Sequence, residues 1–78
     1  MILRNLVVLS NAGNFTMYHY SSTLPINDIE VPHFFNDASY KLKVGDVIIV
    51  SAHNSSAMLT VSKNIEGNVS TVRTGNSF

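Results

Sequence analysis

The sequence predicts an all-β fold, a small barrel or sandwich of about five short antiparallel strands with one short helical or turn insertion. Two observations support this class. The apolar segments are short and rich in β-branched residues, which favour strands. Asn, Ser, Thr and Gly cluster between these segments, and such residues form turns. No linker or internal repeat divides the chain, so we expect a single β-rich domain over residues 1–78.

The N-terminal part of the chain predicts a β-hairpin. The first strand is Ile2–Ser10, in which Val7 and Val8 favour extended backbone. The NAGN segment at 11–14 then forms a turn, because glycine takes positive φ without strain and asparagine tolerates it. The second strand is Phe15–Ser22. Its alternation separates two faces, with Phe15, Met17, His19 and Ser21 on one and Thr16, Tyr18, Tyr20 and Ser22 on the other.

The middle of the chain predicts the insertion. The NDIE segment at 27–30 fits one helical turn capped by Asn27 or Asp28, and the proline at position 32 limits any helix there. In the next segment, Phe35, Ala38 and Leu42 fall on one side of a short helix or turn. We expect these three side chains to pack the insertion over one end of the barrel.

A glycine and an aspartate predict a corner before the most apolar segment. Gly45 relaxes the backbone and Asp46 can accept hydrogen bonds from nearby amides. The strand Val47–Ser51 follows and is apolar on both faces, so we expect burial on both sides, inside the domain or partly at a subunit contact. Strands at Ala57–Lys63 and Val69–Arg73 complete a C-terminal meander, and TGNSF at 74–78 forms a tail.

Chain length and cysteine content predict association with other chains. A domain of 78 residues is marginal for a self-sufficient core, and small domains of this kind often rely on disulfides, metals or oligomerisation. The chain has no cysteine, and its three histidines are too far apart for the spacing of a zinc site. Association is the remaining means of stabilisation, and the alternative is a solitary barrel of modest stability.

Low charge excludes several functional classes. Charged residues make up 13% of the chain, and the formal net charge is zero. Nucleic-acid binding and electrostatic membrane binding both need basic patches, which five scattered Lys and Arg residues do not form. The apolar N-terminal segment is too short for a signal peptide and is interrupted by Arg4 and Asn5, so we expect synthesis in the cytoplasm without a classical export signal.

The sequence contains no recognisable catalytic, metal or cofactor motif. No nucleophile elbow surrounds any serine, and the four glycines are isolated, so neither a P-loop nor a dinucleotide fingerprint is present. We therefore predict no enzyme activity and no cofactor. Asp28 and Glu30 are compatible with a weak cation site, although solvated loop acids are the more common case. Phe34 or Phe35 is expected to close the open end of the barrel, with the tyrosines at its rim.

The segment that begins at the aromatic pair resembles a pattern in small proteins of tailed bacteriophages. The pattern is an aromatic-Phe-Asn-Asp-Ala segment, a leucine a few residues later, and Gly-Asp before an aliphatic strand. The matching residues are Phe34, Phe35, Asn36, Asp37, Ala38, Leu42, Gly45, Asp46, Val47 and Ile48. The resemblance extends over roughly residues 18–72. Longer relatives carry the motif inside a larger chain, so whether this chain acts alone stays open.

The resemblance implies a structural role in the virion and transfers no catalytic residue. Capsid decoration (cement) proteins, head fibres and fibre domains of this kind are β-rich and often form homotrimers. We expect a decoration protein, located in the virion, that binds the major capsid protein lattice as an oligomer. One alternative is a tail- or head-fibre module that binds host glycans through exposed Tyr18 and Tyr20. Another is a small intracellular β-barrel adaptor.

Overall fold

The structure, a computed structural model, describes residues 1–74 and contains one open five-stranded sheet. The strands lie in the order β1 to β5, so the predicted five strands and the mainly β class are confirmed. Residues 75–78 of the predicted tail lie outside the described residues. The bounds of the strands are β1 Leu6–Asn11, β2 Thr16–Ser21, β3 Val47–Ser51, β4 Ser56–Ile65 and β5 Asn68–Arg73.

One strand pair departs from the antiparallel prediction. The β1–β2 hairpin and the β3–β4–β5 meander are antiparallel, as predicted. β2 and β3 are parallel, with Tyr18 opposite Ile48 and Tyr20 opposite Val50. Parallel neighbours require a long connection that returns the chain to the same end of the sheet, and residues 22–46 form this crossover.

The sheet does not close into a barrel, so of the two predicted architectures, barrel or sandwich, the barrel is wrong. Closure requires the first and last strands to pair, whereas β1 and β5 are the two edges of the sheet. The crossover occupies part of the β5 edge instead: the His33 amide donates to the Val69 carbonyl at 3.0 Å, and the Val69 amide donates to Asn36 Oδ1 at 2.7 Å. These bonds satisfy backbone groups that a closing strand would need.

The crossover also covers one face of the sheet and forms the core with it. It contains the one-turn helix α1, Ile26–Ile29, and a 3₁₀ turn at Asn36–Ala38. Within residues 1–74, no helix is long and apolar enough to cross a bilayer. The core cluster consists of Leu6, Tyr18, Tyr20, Ile26, Ile29, Phe35, Ala38, Leu42, Ile48, Val50, Ala57, Leu59, Val61 and Val69.

Local chemistry accounts for the ends of these elements. α1 follows Pro25, and its predicted side-chain cap from Asn27 or Asp28 is absent. Asn54, from the β3–β4 turn, caps the helix from outside, because its Oδ1 accepts a hydrogen bond from the Ile26 amide at 3.0 Å. In the two-residue turn between β4 and β5, Glu66 and Gly67 have φ of 53° and 82°. Positive φ at both positions is typical of a type I′ turn, whose twist matches that of the flanking strands.

The first strand begins later than predicted. Residues Leu3–Asn5 form a 3₁₀ turn, and β1 starts at Leu6 rather than Ile2. The Ile2 amide donates to the Tyr20 hydroxyl at 2.9 Å, which fixes the N-terminus beside the end of β2. A tertiary contact therefore overrides the extended preference of this segment.

Gly45, which the sequence placed in a corner, has a positive φ. Its φ is 97°, and a Cβ built there would meet no atom within 4 Å. A side chain at position 45 would therefore destabilise the fold through backbone strain and not through a steric clash. We expect Gly45→Val to lower the free energy of unfolding by about 1–2 kcal/mol in urea titrations. Gly45→Asn, which tolerates positive φ better, should lose less, and equal stability of all three proteins would contradict this explanation.

Candidate functional site

Asp46 joins the starts of the two parallel strands. Its side chain is buried, and Oδ1 accepts the amide of Thr16, the first residue of β2, at 2.9 Å. Oδ2 accepts the amide of Lys43 at 2.9 Å, and the Asp46 amide in turn donates to the Lys43 carbonyl at 2.9 Å. Because Val47 begins β3 directly afterwards, this carboxylate fixes where the crossover returns to the sheet. Its chemistry is structural.

The aromatic pair of the motif lies against the sheet face rather than at the end of a barrel. Phe35 is buried, and its ring meets that of Tyr20 edge-on at a centroid distance of 5.4 Å. Phe34 is partly buried and packs edge-on against both rings, at 5.8 Å from Tyr20 and 5.0 Å from Phe35. Ala38 and Leu42 are buried in the same cluster. The predicted packing of the insertion is confirmed, but its position is over the sheet.

The polar residues of the motif have different environments. Asn36 donates through Nδ2 to Asn68 Oδ1 at 3.4 Å, in addition to accepting the β5 amide described above. Asp37, its neighbour, is exposed. Asn36 thus holds the crossover to the edge of the sheet.

Asn64 is a structural residue that the sequence analysis missed. From β4, its Nδ2 donates to the carbonyls of Ser39 and Leu42, at 2.8 and 2.6 Å. These carbonyls belong to the turns of the crossover. A signal was present, because asparagine is depleted in strands and its presence within one suggests a specific hydrogen bond.

The tyrosines of β2 are in the core, not at a rim. Tyr18 and Tyr20 are both buried, and their hydroxyls reach backbone groups: Tyr18 donates to the Lys41 carbonyl at 3.3 Å, and Tyr20 accepts the N-terminal amide described above. Tyr40, in contrast, is exposed. The expected position of the tyrosines at a rim is therefore wrong, and the glycan-binding alternative loses the two exposed tyrosines on which it depended.

Burial also predicts a pH dependence of stability. Desolvation raises the pKa of the Tyr18 phenol, and the negative charge of Asp46 raises it further. The folded protein therefore holds this proton more tightly than the unfolded chain, whose tyrosine titrates near pH 10. The associated stability is fully present below about pH 10 and is lost as the pH rises above it.

Replacing Tyr18 with phenylalanine should remove part of the loss of stability at alkaline pH. We expect Tyr18→Phe to lose less free energy of unfolding than the unmodified protein between about pH 9 and about pH 11. Urea titrations at a series of pH values measure both slopes. Parallel slopes for the two proteins would contradict the assignment to Tyr18.

Within residues 1–74, no segment covers the second face of the sheet, whose centre carries no charged side chain. We call it the open face. No residue on it is buried, and its central positions, such as Met17 and Ile49, are half-buried by their neighbours on the sheet. The strand register places on it Val7, Met17, His19, Val47, Ile49, Met58, Thr60 and Val72. None of these eight residues is an acid, a lysine or an arginine, so the centre of the open face offers apolar contact without charge. Lys63, opposite Ser70 near the end of β4, is exposed on the same face and places one charge at its margin.

The open face contains a histidine–serine contact. His19 Nε2 lies 2.8 Å from Ser51 Oγ, across the parallel β2–β3 pair. A hydrolase triad needs an acid that orients the histidine, and no acidic side chain bonds His19 in the part of the chain described. The contact has the geometry of a cross-strand hydrogen bond that stabilises the sheet.

The remaining candidates for ligand binding are weak. A cavity of about 520 Å³ opens between the N-terminus and the end of β2, lined by residues that include Met1, Tyr20 and Leu24. Over residues 1–74, no group of three or more His, Cys, Asp or Glu side chains is positioned to hold a metal ion. Glu30, a member of the pair considered for a cation, accepts instead from Arg73 Nε at 2.6 Å, and this bond raises the pKa of the arginine.

We compared the chain with protein-family models, with curated proteins and with solved structures, and none of the three comparisons found a match. Five of the ten motif residues are buried, namely Phe35, Ala38, Leu42, Asp46 and Ile48, whereas the open face has no buried residue.

Proposed function

We propose that the chain is a structural protein of a phage virion, a capsid decoration protein that binds the major capsid protein lattice as an oligomer. The observation that supports this most is the open face. Its centre presents apolar side chains on the sheet without lysine, arginine or acid, and exposed apolar patches of this kind commonly mark protein-binding surfaces.

The placement of the motif agrees with such a role. Phe35, Ala38 and Leu42 are buried beneath the crossover, and Asp46 bonds backbone amides, so these residues stabilise the fold. A decoration protein needs a stable module that presents a surface, and this division leaves the open face for the partner. Depletion of charge at the centre of a surface is also typical of protein interfaces.

The test is whether the chain is a component of the particle. Virions from a producing culture are purified on a density gradient, and the chain is quantified by mass spectrometry in the particle band. We expect a fixed ratio of this chain to the major capsid protein in every particle fraction. Presence of the chain only in the soluble fraction of the lysate would contradict the proposal.

The surface is tested with one pair of variants. Ile49→Lys places a charge in the middle of the open face, whereas Tyr40→Lys places the same charge at an exposed position on the crossover. Each purified variant is mixed with capsids that lack the chain and is then sedimented. We expect Ile49→Lys to lose co-sedimentation and Tyr40→Lys to retain it. Equal binding by two folded variants would exclude the open face as the contact.

A further inference from the structure

The two edges of the sheet are treated differently by the rest of the chain. At β5, the crossover occupies part of the outer side of the strand through the hydrogen bonds of His33 and Asn36 to the Val69 backbone. An exposed edge strand is a template for pairing with another chain, and covering it with a loop is one way in which proteins prevent this. The β5 edge is therefore blocked at Val69.

The β1 edge has no such cover among the described residues. The backbone of residues 7–10 forms no hydrogen bond outside the β1–β2 pair within residues 1–74. Val7, Val8 and Leu9 follow one another and are 46%, 58% and 54% exposed. The strand also contains no proline and no charged residue, which are the usual means of protecting an edge.

We propose that β1 pairs antiparallel with β1 of a second copy of this chain, which joins two five-stranded sheets into one. Antiparallel pairing of identical strands about a two-fold axis matches each donor with the equivalent acceptor, so a second copy is a complementary partner. The neutral strand brings no like charges together. A two-fold β1 pair uses the β1 edge of both copies, and the crossover at Val69 hinders further pairing through β5, so the assembly closes at two.

The irregularity of β1 limits the strength of this dimer. A bulge between Val8 and Ser10 interrupts the regular part of β1, so the pairing is short and its population depends on protein concentration. The inference deepens the oligomeric part of the proposed function. It gives a two-fold dimer rather than the homotrimer that the family resemblance implies, and it leaves the open faces of both copies free for a capsid.

The test compares the same substitution on the two edge strands. Val8→Lys puts a charge on β1, where Val8 is 58% exposed, and Val72→Lys does so on β5, where Val72 is 53% exposed. Sedimentation velocity and native mass spectrometry of the full chain are run over a series of concentrations. We expect dimers for the unmodified protein and for Val72→Lys, and at least a tenfold weaker dimer for Val8→Lys.

Hydrogen exchange of the unmodified protein supplies a second measurement that does not depend on a variant folding. The amides of residues 7–10 that face away from β2 should exchange more slowly as the protein concentration rises. A monomer or a trimer at all concentrations, or equal weakening by both variants, would overturn the pairing. A monomer with protected β1 amides would show that the same chain covers the edge and would overturn it as well.

These measurements use the purified chain without capsids. A negative result therefore rejects the β1 pairing and leaves capsid binding to be judged by co-sedimentation. Absence of the chain from virions would in turn reject the proposed function, and the dissociation constant measured for the dimer would still stand.

Discussion

Replacing Phe35 with alanine should lower the free energy of unfolding by about 3–5 kcal/mol. The ring is buried and contacts those of Phe34 and Tyr20, so its removal leaves a cavity under the crossover that the rigid sheet cannot fill. A domain of 78 residues has a total stability of roughly 4–12 kcal/mol. The loss is a large fraction of this total, and at the lower end of the range part of the population should be unfolded at ambient temperature. Urea titration followed by circular dichroism measures it.

Tyr40→Ala is the matched control for Phe35→Ala. This aromatic residue lies in the same crossover but is 72% exposed, so its truncation removes little packing and should change stability by less than about 0.5 kcal/mol. A comparable loss in the two variants would show that the crossover does not depend on its buried ring. Phe35→Leu should recover part of the lost stability, because it restores apolar volume.

Asp46→Ala should destabilise the fold by about 3–5 kcal/mol, since hydrogen bonds to a charged group contribute about 1.5–3 kcal/mol each. The variant leaves the amides of Thr16 and Lys43 without their acceptors at a site where the carboxylate is fully buried. The variant should also loosen the contact between the two parallel strands, because these bonds hold the start of β3 beside the start of β2. Hydrogen exchange should show faster exchange at Thr16 in the same variant.

Two further substitutions separate the hydrogen bonds from the charge. Asp46→Asn retains one acceptor oxygen and should lose less than Asp46→Ala, because only one of the two amides then lacks a partner. Asp37→Ala removes an exposed acid from the same crossover and should stay within about 0.5 kcal/mol of the unmodified protein. Equal stability of Asp46→Ala and Asp37→Ala would exclude the bracing role of Asp46.

The strands were predictable because their signals are local. Val47–Ser51 matches β3 at both ends, and Gly45-Asp46 forms the predicted corner with a positive φ. Alternation along β2 placed Tyr18 and Tyr20 on one face, which is the face that the structure buries. Period-two patterns and turn residues depend on neighbours in sequence, so the chain alone is sufficient to place these elements.

The pairing of β2 with β3 was not predicted correctly, although a signal was available. The long connection with a helical turn between them is typical of parallel strands, which cannot be joined by a short loop. The barrel prediction failed for a related reason. Whether the first and last strands meet depends on where the crossover lies, and its hydrogen bonds to Val69 connect residues far apart in sequence.

The position of the candidate surface could not be predicted from local sequence patterns either. The low charge of the whole chain indicated association, but it gave no information on which side chains share the open face. That face exists because the crossover covers only one side of the sheet. The difference between the two edges likewise depends on the position of Asn36, an ordinary turn residue by its sequence context.

The sequence by itself determined five strands, the corner at Gly45-Asp46 and the three apolar side chains that anchor the crossover, because each depends on the conformational preference or spacing of nearby residues. Only the tertiary structure decided the parallel pair, the open sheet and the exposed β1 edge. Those features arise when Asp46 bonds Thr16 and Asn36 bonds Val69, and such contacts bring together segments that no local pattern relates.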